Sequence, residues 1–521
     1  MTSFLLSILS GILLSLPFFD GRLWIFAWAG FLPLFSAIQN SGRAKAFLIS
    51  YITGIIFWSI TIYWLIHVTL LGQILLILYL SLYFGFFGLC ISAIPALPAG
   101  RRYPCLAGRQ ALSLPCRQAG AIRLFFIPCI WVFLEYLRAH LFSGFGWALL
   151  GYSQYLNLPI IQIADIFGAY GVSFLIIMVN LALWELIVVL GIKYQVSGIR
   201  RNFSFLVPFF CLLFSLAYGF YKLYRTPNHE PRTALEISVI QGNIPQELKW
   251  DKGSQALILD RYAQLSQKAA LEKPDLIIWP EAASPGFIGV AEDDWLSEHI
   301  FAVAKETGIP LLLGSVVREN KNYFNSALLI DRQGRIAGRY DKLHLVPFGE
   351  YVPLKELFPF LETIVPVGDF TSGDSYTLFS LSPSALPPLS GPAGACPVRN
   401  YSAIRKEKEV SDGAGVKFGV LICFEDTIPE LSRNFVKKGA DFLVNITNDG
   451  WFKETKAPYQ HLAGSVFRAV ENRVPLVRAA NTGVSCFIDS RGRIKAKVAE
   501  NGKDIFVSGT KTETIFLERM L

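Results

Sequence analysis

Seven apolar segments crowd the first 225 residues, and each is long enough, or nearly so, to cross a lipid bilayer. They run at about 4–19, 23–39, 46–66, 70–95, 124–142, 159–191 and 203–221. A membrane-spanning helix needs roughly 17–25 mostly apolar residues, because the hydrocarbon core is about 30 Å thick. The whole chain is 52% hydrophobic, too apolar for an ordinary soluble protein. The sequence therefore predicts a transmembrane domain of about seven helices over residues 1–225.

Charges between the apolar segments predict how the bundle is oriented. The loops after the odd-numbered segments contain only Arg22 and Arg138. The loops after the even-numbered segments contain many more basic residues: Arg43, Lys45, Arg101, Arg102, Arg109, Arg117, Arg123, Lys193, Arg200 and Arg201. Because short basic loops stay in the cytoplasm, everything after residue 225 is expected on the opposite face, which in a bacterium is the periplasm. The first segment lacks a basic n-region, so we expect a retained helix and not a signal peptide.

These topology signals also explain much of the formal net charge of +8, so we expect no nucleic-acid partner. The eight cysteines have neither the density nor the spacing of a disulfide framework. No CxxC pair or Cys/His cluster suggests zinc. We therefore expect neither a metal nor a cofactor.

Two stretches differ in composition from their surroundings. Residues 96–122 and 381–415 are rich in Pro, Gly and Ala with Arg or Ser, and they lack hydrophobic periodicity. Such composition favours flexible loops, and we interpret both stretches as insertions without a role in the chemistry.

From about residue 230 to 515, short apolar runs alternate with helical stretches near 255–271 and 294–306. This alternation is typical of a layered α/β domain. Two pairs of runs, YFNSALLIDRQGRIAGRY and SCFIDSRGRIKAKV, are each interrupted only by a turn that contains glycine. They predict hairpins, and therefore a mixed sheet.

Three polar residues directly follow predicted strands, at the edge where open α/β sheets present reactive groups. Glu281 follows DLIIWP, Lys342 follows the first hairpin, and Cys423 follows FGVLI. A cysteine thiol is mostly protonated at neutral pH, so a nucleophilic cysteine needs a base or a nearby cation, and Glu and Lys supply one of each. The structural alternatives are a core cysteine, a helix-capping glutamate and a solvated loop lysine.

The contexts of the three residues are more specific than the residues alone. The motifs WPE, DKLHLVPFGEYVP and CFED, in this order, resemble the Glu, Lys and Cys motifs of the nitrilase superfamily of carbon–nitrogen hydrolases. With the apolar segments ahead of them, and with QGNIPQELKW and NDGWF in the same domain, the chain resembles the bacterial apolipoprotein N-acyltransferase family. The resemblance implies a transmembrane bundle followed by a nitrilase-like α-β-β-α sandwich. Members usually end with one more membrane helix, whereas this chain stops at TETIFLERML.

The resemblance implies an acyl transfer in two stages. Cys423 attacks the ester carbonyl of a membrane phospholipid and keeps the acyl chain as a thioester. The α-amine of a diacylglyceryl-modified cysteine at the N-terminus of an apolipoprotein then takes the acyl chain. Glu281 is the implied general base, and Lys342 is the implied stabiliser of the oxyanion.

The resemblance also implies supporting roles for four residues. Glu350 is expected to orient Lys342, Phe424 and Glu425 to lie near the reaction centre, and Trp250 to lie near the lipid. The structural alternatives are a surface acid for Glu350, a helix N-terminal acid for Glu425 and simple packing for Trp250. The apolar stretch 352–370 is expected either to reach the membrane or cover the thioester, or to pack as a loop on the domain.

Two other functions use the same motifs. A membrane-tethered nitrilase-type amidase would employ the same three residues, with water as the acceptor in place of an amine. A non-catalytic membrane protein with a sensory nitrilase-like domain is the other alternative, but such a domain does not need all three residues intact.

Overall fold

The structure is a computed structural model that describes residues 1–94, 116–192, 206–224, 233–288, 293–352, 370–381 and 415–517. The chain divides into two compact units, Met1–Tyr224 and Arg225–Leu521. The predicted insertion at 381–415 lies outside the described residues except for its two ends, as does the apolar stretch 352–370.

In its described parts, the first unit consists of helices joined by turns and short irregular stretches. Its helices are α1 (Thr2–Phe19), α2 (Leu32–Ile38), α3 (Arg43–Thr61), α4 (Leu70–Ala93), α5 (Cys116–His140), α6 (Leu158–Ile161), α7 (Ala164–Ile192) and α8 (Leu206–Tyr224). Shorter 3₁₀ segments lie at Gly21–Trp28, Tyr63–His67 and Leu150–Gln154. Small residues bring α3 and α4 together, because a Cβ at Gly88 would lie only 2.0 Å from the Ser50 hydroxyl.

Six helical segments in the described part of this unit are long and apolar enough to cross a membrane. They are Thr2–Phe19, Gly21–Ile38, Arg43–Thr61, Leu70–Ala93, Ala164–Val188 and Leu206–Tyr224. The sequence predicted seven such segments, one more than these six. The additional segment, 124–142, lies in α5. That helix contains Arg123, Glu135 and Arg138, so its composition is less apolar than that of the other six.

The helix boundaries correct three predictions. The segment 23–39 is a 3₁₀ segment followed by α2, and 159–191 is divided between α6 and α7. Within α7, Gly168 has φ +65°, a left-handed conformation that glycine adopts without steric cost and that interrupts the regular helix. Residues 116–122, which we expected in a flexible loop, belong to α5.

The second unit contains the strands of two mixed sheets. In the described residues these are β1 (Thr233–Gln241), β2 (Leu276–Ile278), β3 (Phe287–Ile288), β4 (Leu311–Glu319), β5 (Asn322–Ile330), β6 (Ile336–Asp341), β7 (Leu378–Leu381), β8 (Val416–Ile422), β9 (Phe442–Thr447), β10 (Leu476–Ala480), β11 (Cys486–Ile488), β12 (Ile494–Lys497) and β13 (Gly509–Leu517). The first sheet has the order β13-β1-β2-β4-β5-β6, with β3 beside β4, and the second has the order β12-β11-β10-β9-β8-β7. Both predicted hairpins are present, as β5–β6 and β11–β12.

Helices cover the two sheets. They are α9 (Gln255–Ala270), α10 (Asp294–Thr307), α11 (Pro429–Lys437) and α12 (Ala457–Asn472). Tyr262 of α9 and Ile300 of α10 are buried against the first sheet. Phe435 of α11 packs so closely over Gly419 of β8 that a Cβ there would lie 2.5 Å from its ring. The sheets contact each other through β1 and β10 and through β5 and β8, which confirms the predicted α-β-β-α layers.

The central strands of each sheet determine where the site forms. Strands β8, β9 and β10 are parallel neighbours, so their carboxyl ends lie at one edge of the second sheet. In the first sheet, β1, β2 and β4 are parallel as well. Residues that follow these ends are therefore placed to meet, and β6, which runs in the same direction as β4, adds the residue that follows its own end.

Candidate active site

Cys423 is the first residue after β8 and begins a 3₁₀ turn, Cys423–Thr427. Its φ is +54°, a left-handed conformation that residues with a Cβ seldom adopt. The pKa of its thiol is raised well above the usual value by burial and by the negative charge of Glu281, while Lys342 lowers it. The thiol is therefore protonated at neutral pH, and nucleophilic attack requires a base.

Glu281 lies three residues beyond β2, and its side chain is buried. The side-chain amide of Asn325 donates to Glu281 Oε1 at 2.8 Å, and the backbone N–H of Asn448 donates to Oε2 at 2.9 Å. These two donors fix the plane of the carboxylate. The structure contains no helix at AASPG for Glu281 to cap, which removes the structural alternative for this residue.

Lys342 directly follows β6, and only 1% of its surface is exposed. Its Nζ donates to Glu350 Oε1 at 2.9 Å and lies 3.6 Å from Glu281 Oε1. Burial lowers the pKa of Lys342, but Glu350 and Glu281 raise it by more, so the net shift is upward and the side chain remains an ammonium. Lys342 is therefore not a solvated loop lysine.

Glu350 is also buried, and both of its carboxylate oxygens are bonded. Besides the bond to Lys342, Oε1 accepts from the Asn325 amide at 2.7 Å, and Oε2 accepts from the Val346 N–H at 2.8 Å. Asn325 thus bridges Glu281 and Glu350. The expected contact between Glu350 and Lys342 is present, and the surface-acid alternative is wrong.

Glu425 joins the lysine loop (residues 342–350) to the cysteine turn, which is the 3₁₀ turn Cys423–Thr427. Its carboxylate accepts from the N–H groups of Ile422 and Leu343, both at 2.8 Å, and from the Tyr340 hydroxyl at 2.9 Å. Burial raises the pKa of Glu425 to about 7, although these hydrogen bonds lower it. The carboxylate lies at the start of a 3₁₀ turn, as the helix N-terminal alternative suggested, but it also holds a second loop in place.

The remaining two predicted residues lie at the edge of the site. The Phe424 ring stacks near His344, with 6.2 Å between ring centroids. Trp250 is 48% exposed and stacks against Phe287 at 6.1 Å. An exposed indole of this kind is available to an apolar ligand, but no contact ties it to Cys423.

Sequence reasoning missed Lys249, the residue before Trp250. Its side chain is buried, and Nζ donates to the backbone carbonyls of Glu281 at 3.1 Å and Ala282 at 3.0 Å. Burial lowers its pKa to about 8, against the charges of Glu281 and Cys423, which raise it. The only signal in the sequence was its place in QELKW, directly before the predicted site residue Trp250.

Sequence reasoning also missed a cluster of charged residues that contacts the backbone of Cys423. Four fully or almost fully buried residues form what we call the buried charge cluster, namely Asp426, Asp449, His461 and Arg478. All of its members are joined by ion pairs. The CFED and NDGWF motifs contain the two acids, but nothing local in the sequence pairs them with His461 and Arg478.

The arrangement is suited to acyl transfer through a covalent intermediate. A thiol, an oriented carboxylate and a buried ammonium lie together, which supplies a nucleophile, a base and a stabiliser of negative charge. Within the described ranges, no group of three or more His, Cys, Asp and Glu residues is placed to hold a metal ion.

Two protein-family models match the chain. The model described as "Carbon-nitrogen hydrolase" matches residues 236–515. The model described as "Apolipoprotein N-acyltransferase N-terminal domain" matches residues 10–182. The two matches together cover both units of the chain.

Two of the similar proteins match this chain over nearly its full length. An apolipoprotein N-acyltransferase of Geobacter metallireducens is 38% identical, over 94% of this chain and 86% of its own. An apolipoprotein N-acyltransferase of Pasteurella multocida is 29% identical, over 98% of this chain and 89% of its own. Among solved structures, a carbon–nitrogen hydrolase from Helicobacter pylori is 18% identical, with a TM-score of 0.36, over 55% of this chain and 90% of its own.

Proposed function

Because this chain belongs to the apolipoprotein N-acyltransferase family, we propose that it transfers a fatty acyl chain from a membrane phospholipid to the N-terminal α-amine of a diacylglyceryl-modified apolipoprotein. The observation that supports this most strongly is the placement of the Lys342 ammonium between Glu350 and Glu281, with its charge acting on the Cys423 thiol. Glu281, Lys342 and Cys423 are the proposed catalytic residues.

In the first stage, Glu281 accepts the proton of the Cys423 thiol while Sγ attacks the ester carbonyl of the phospholipid. The carbonyl oxygen becomes negative in the tetrahedral intermediate, and the Lys342 ammonium stabilises it. Collapse of the intermediate breaks the ester bond. The departing lysophospholipid oxygen takes the proton back from Glu281, and the acyl chain remains on Cys423 as a thioester.

In the second stage, the α-amine of the apolipoprotein attacks the thioester carbonyl. Glu281 accepts a proton from the amine as the carbon–nitrogen bond forms, and Lys342 again stabilises the oxyanion. When the carbon–sulfur bond breaks, the thiolate takes that proton and the thiol is restored. The products are an amide-linked third acyl chain and free enzyme, so no cofactor is required.

The supporting residues fit this scheme. Glu350 holds Lys342 as an ammonium, and Glu425 keeps the lysine loop against the cysteine turn. Trp250 and Phe424 lie at the edge of the site, where lipid would enter. The first unit would keep the enzyme in the membrane that contains both substrates. Their acyl chains can then stay in the bilayer while only the ester or the amine has to reach the thiol.

We further propose that the protein lies in the bacterial inner membrane with its second unit in the periplasm. The basic residues that follow the even-numbered apolar segments support this orientation, which takes α5, a helix of 25 residues, as the fifth of seven crossings. Apolipoproteins with a lipid-modified N-terminal cysteine would meet the enzyme on that face.

The test is an acyl-transfer assay with the full-length protein in phospholipid vesicles and a synthetic diacylglyceryl-cysteine peptide as acceptor. We expect a triacylated peptide, detected by mass spectrometry, and none with Cys423→Ala. Release of free fatty acid without any triacylated peptide would contradict the proposal and favour transfer to water, as in an amidase-type hydrolase. A peptide acylated equally by Cys423→Ala would exclude a cysteine nucleophile.

A further inference from the structure

The backbone of Cys423 is held by two side chains that the scheme above does not use. Its carbonyl oxygen accepts from the side-chain amide of Asn445 at 3.1 Å and lies 3.2 Å from His461 Nε2. A left-handed conformation is unfavourable for a residue with a Cβ, so it persists only where its surroundings enforce it. Asn445 and His461 are the residues placed to enforce it.

His461 is itself fixed at both ring nitrogens. Nδ1 lies 2.8 Å from Asp449 Oδ1, and Nε2 lies 2.9 Å from Asp426 Oδ1. These carboxylate oxygens and the Cys423 carbonyl can only accept hydrogen bonds, so both nitrogens must donate, and the ring is an imidazolium. In agreement, burial and the Arg478 charge lower the pKa of His461, but Asp426 and Asp449 raise it by more, to about 9.

Arg478 completes a rigid frame around the imidazolium. It donates to Asp426 Oδ2 at 2.9 Å and to Asp449 Oδ2 at 3.3 Å, so each acid is shared by two cations. The two negative and two positive charges of the buried charge cluster cancel. Fully paired buried charges of this kind leave little freedom for any one side chain to move.

We propose that His461 is a positioning residue that holds the Cys423 carbonyl and thereby keeps the thiol aimed at Glu281 and the incoming ester. The peptide unit is planar, so fixing its carbonyl, together with φ, fixes the direction of the Cα–Cβ bond and leaves Sγ only the staggered positions around that bond. This inference rests on the proposed acyl transfer through Cys423.

The buried charge cluster is also connected to Glu281, the proposed base. Asp449 begins the 3₁₀ turn Asp449–Phe452, and the N–H of the preceding residue, Asn448, donates to Glu281 Oε2 at 2.9 Å. The buried charge cluster is therefore connected both to the cysteine turn and to the turn Asp449–Phe452, whose preceding residue orients Glu281. Loss of His461 would loosen one turn relative to the other.

The test compares His461→Asn with wild type and with a matched control. The shorter Asn amide reaches the position of Nδ1 but not that of Nε2, so this substitution removes the donor to the Cys423 carbonyl. Asn472→Ala is the control, because Asn472 lies on the same helix, is buried, and donates to Ser432 and to the Arg468 carbonyl far from Cys423. The measurements, made on the full chain in phospholipid vesicles, are the thermal midpoint and the rate of acyl-enzyme formation. The rate is followed by intact mass at several phospholipid concentrations.

We expect His461→Asn to slow acyl-enzyme formation roughly 10- to 100-fold at saturating phospholipid, since a displacement of about 1 Å can cost on the order of 100-fold. The phospholipid concentration at half-maximal rate stays the same, because His461 does not touch the lipid. Asn472→Ala, with a comparable loss of thermal midpoint, stays within about twofold of wild type.

A His461→Asn rate close to that of wild type, or an equal loss in both variants at equal thermal stability, would overturn the inference. An absence of acyl-enzyme in wild type would instead contradict the proposed function itself. If His461→Asn does not fold, His461→Gln replaces it, because the Gln amide nitrogen lies near the position of Nε2 and can still donate to the Cys423 carbonyl. A folded His461→Gln variant should then form the acyl-enzyme at a rate close to that of wild type, and a rate lower by more than about tenfold would overturn the inference.

Discussion

Lys342 donates from Nζ to Glu350 Oε1 at 2.9 Å, whereas the oxygen of Glu281 lies 3.6 Å away. Glu350 is therefore the main counter-ion of the lysine, and Glu281 is oriented mostly by Asn325 and by the Asn448 backbone. This division matters because a carboxylate fully engaged by an ammonium is a poor base. One acid keeps the lysine charged, and the other remains available for the proton of Cys423.

Replacement of Glu350 by Gln should impair acyl transfer. Lys342 loses its closest counter-ion, so its ammonium moves toward Glu281 and away from the developing oxyanion. We expect acyl-enzyme formation to fall roughly tenfold or more, in line with losses of single oxyanion stabilisers. The control is Glu319→Gln, which removes a more exposed acid paired with Arg339, and which should leave the rate unchanged. Equal rates for the two variants would contradict a role for Glu350.

Replacement of Glu281 by Gln should change two reactions of Cys423 in opposite directions. The negative charge of Glu281 raises the pKa of the thiol, so its removal lowers that pKa and increases the thiolate fraction. Alkylation of Cys423 by a small reagent such as iodoacetamide should therefore become faster at pH 7 to 8. Acyl transfer should become slower, because the variant lacks the base that accepts the thiol proton. A parallel decrease of both rates would mean that Glu281 acts only by supporting the fold.

Replacement of Lys249 by Met should change how stability depends on pH. The pKa of Lys249 is about 8 in the folded protein and 10.5 as its ordinary value, so between these pH values the unfolded state binds more protons. The contribution of Lys249 to the free energy of unfolding therefore rises with pH in that window, by at most about 1.4 kcal/mol per pH unit. Wild type should gain stability relative to Lys249→Met from pH 8 to 10.5, as measured by thermal midpoints. The exposed Lys252, replaced by Met, is the control, and an equal pH response in both variants would contradict burial of Lys249.

The three catalytic candidates were predictable because each follows, directly or within three residues, a strand that the sequence makes evident. Apolar runs ending in WPE, YDK and CFED mark the strand ends, and the contact between the two sheets brings those ends together. The predicted layers and hairpins follow from the same alternation of apolar runs, helical stretches and glycine-containing turns.

The support around the site was not predictable, because it depends on contacts between distant parts of the chain. The N–H of Asn448 reaches Glu281 across 167 residues, and Asn325 joins Glu281 to Glu350 from the middle of a strand. Lys249 resembles any loop lysine until the fold buries it. His461 lies on a helix whose other residues indicate nothing beyond a buried face.

The predicted orientation can be tested by labelling from outside the cell. In a variant otherwise free of reactive cysteines, a cysteine is introduced at the exposed position of Lys252, and a second variant carries one at Arg43. A membrane-impermeant maleimide should label Lys252→Cys in intact spheroplasts and Arg43→Cys only after lysis. The reverse pattern would place the second unit in the cytoplasm.

The most direct test of the whole account is the mass of the protein after incubation with phospholipid vesicles in the absence of an acceptor. We predict an adduct of fatty-acyl mass on wild type that neutral hydroxylamine removes, as expected of a thioester, and no such adduct on Cys423→Ala. A folded wild-type protein that acquires no adduct, or an adduct that persists in Cys423→Ala, would contradict a thioester on Cys423.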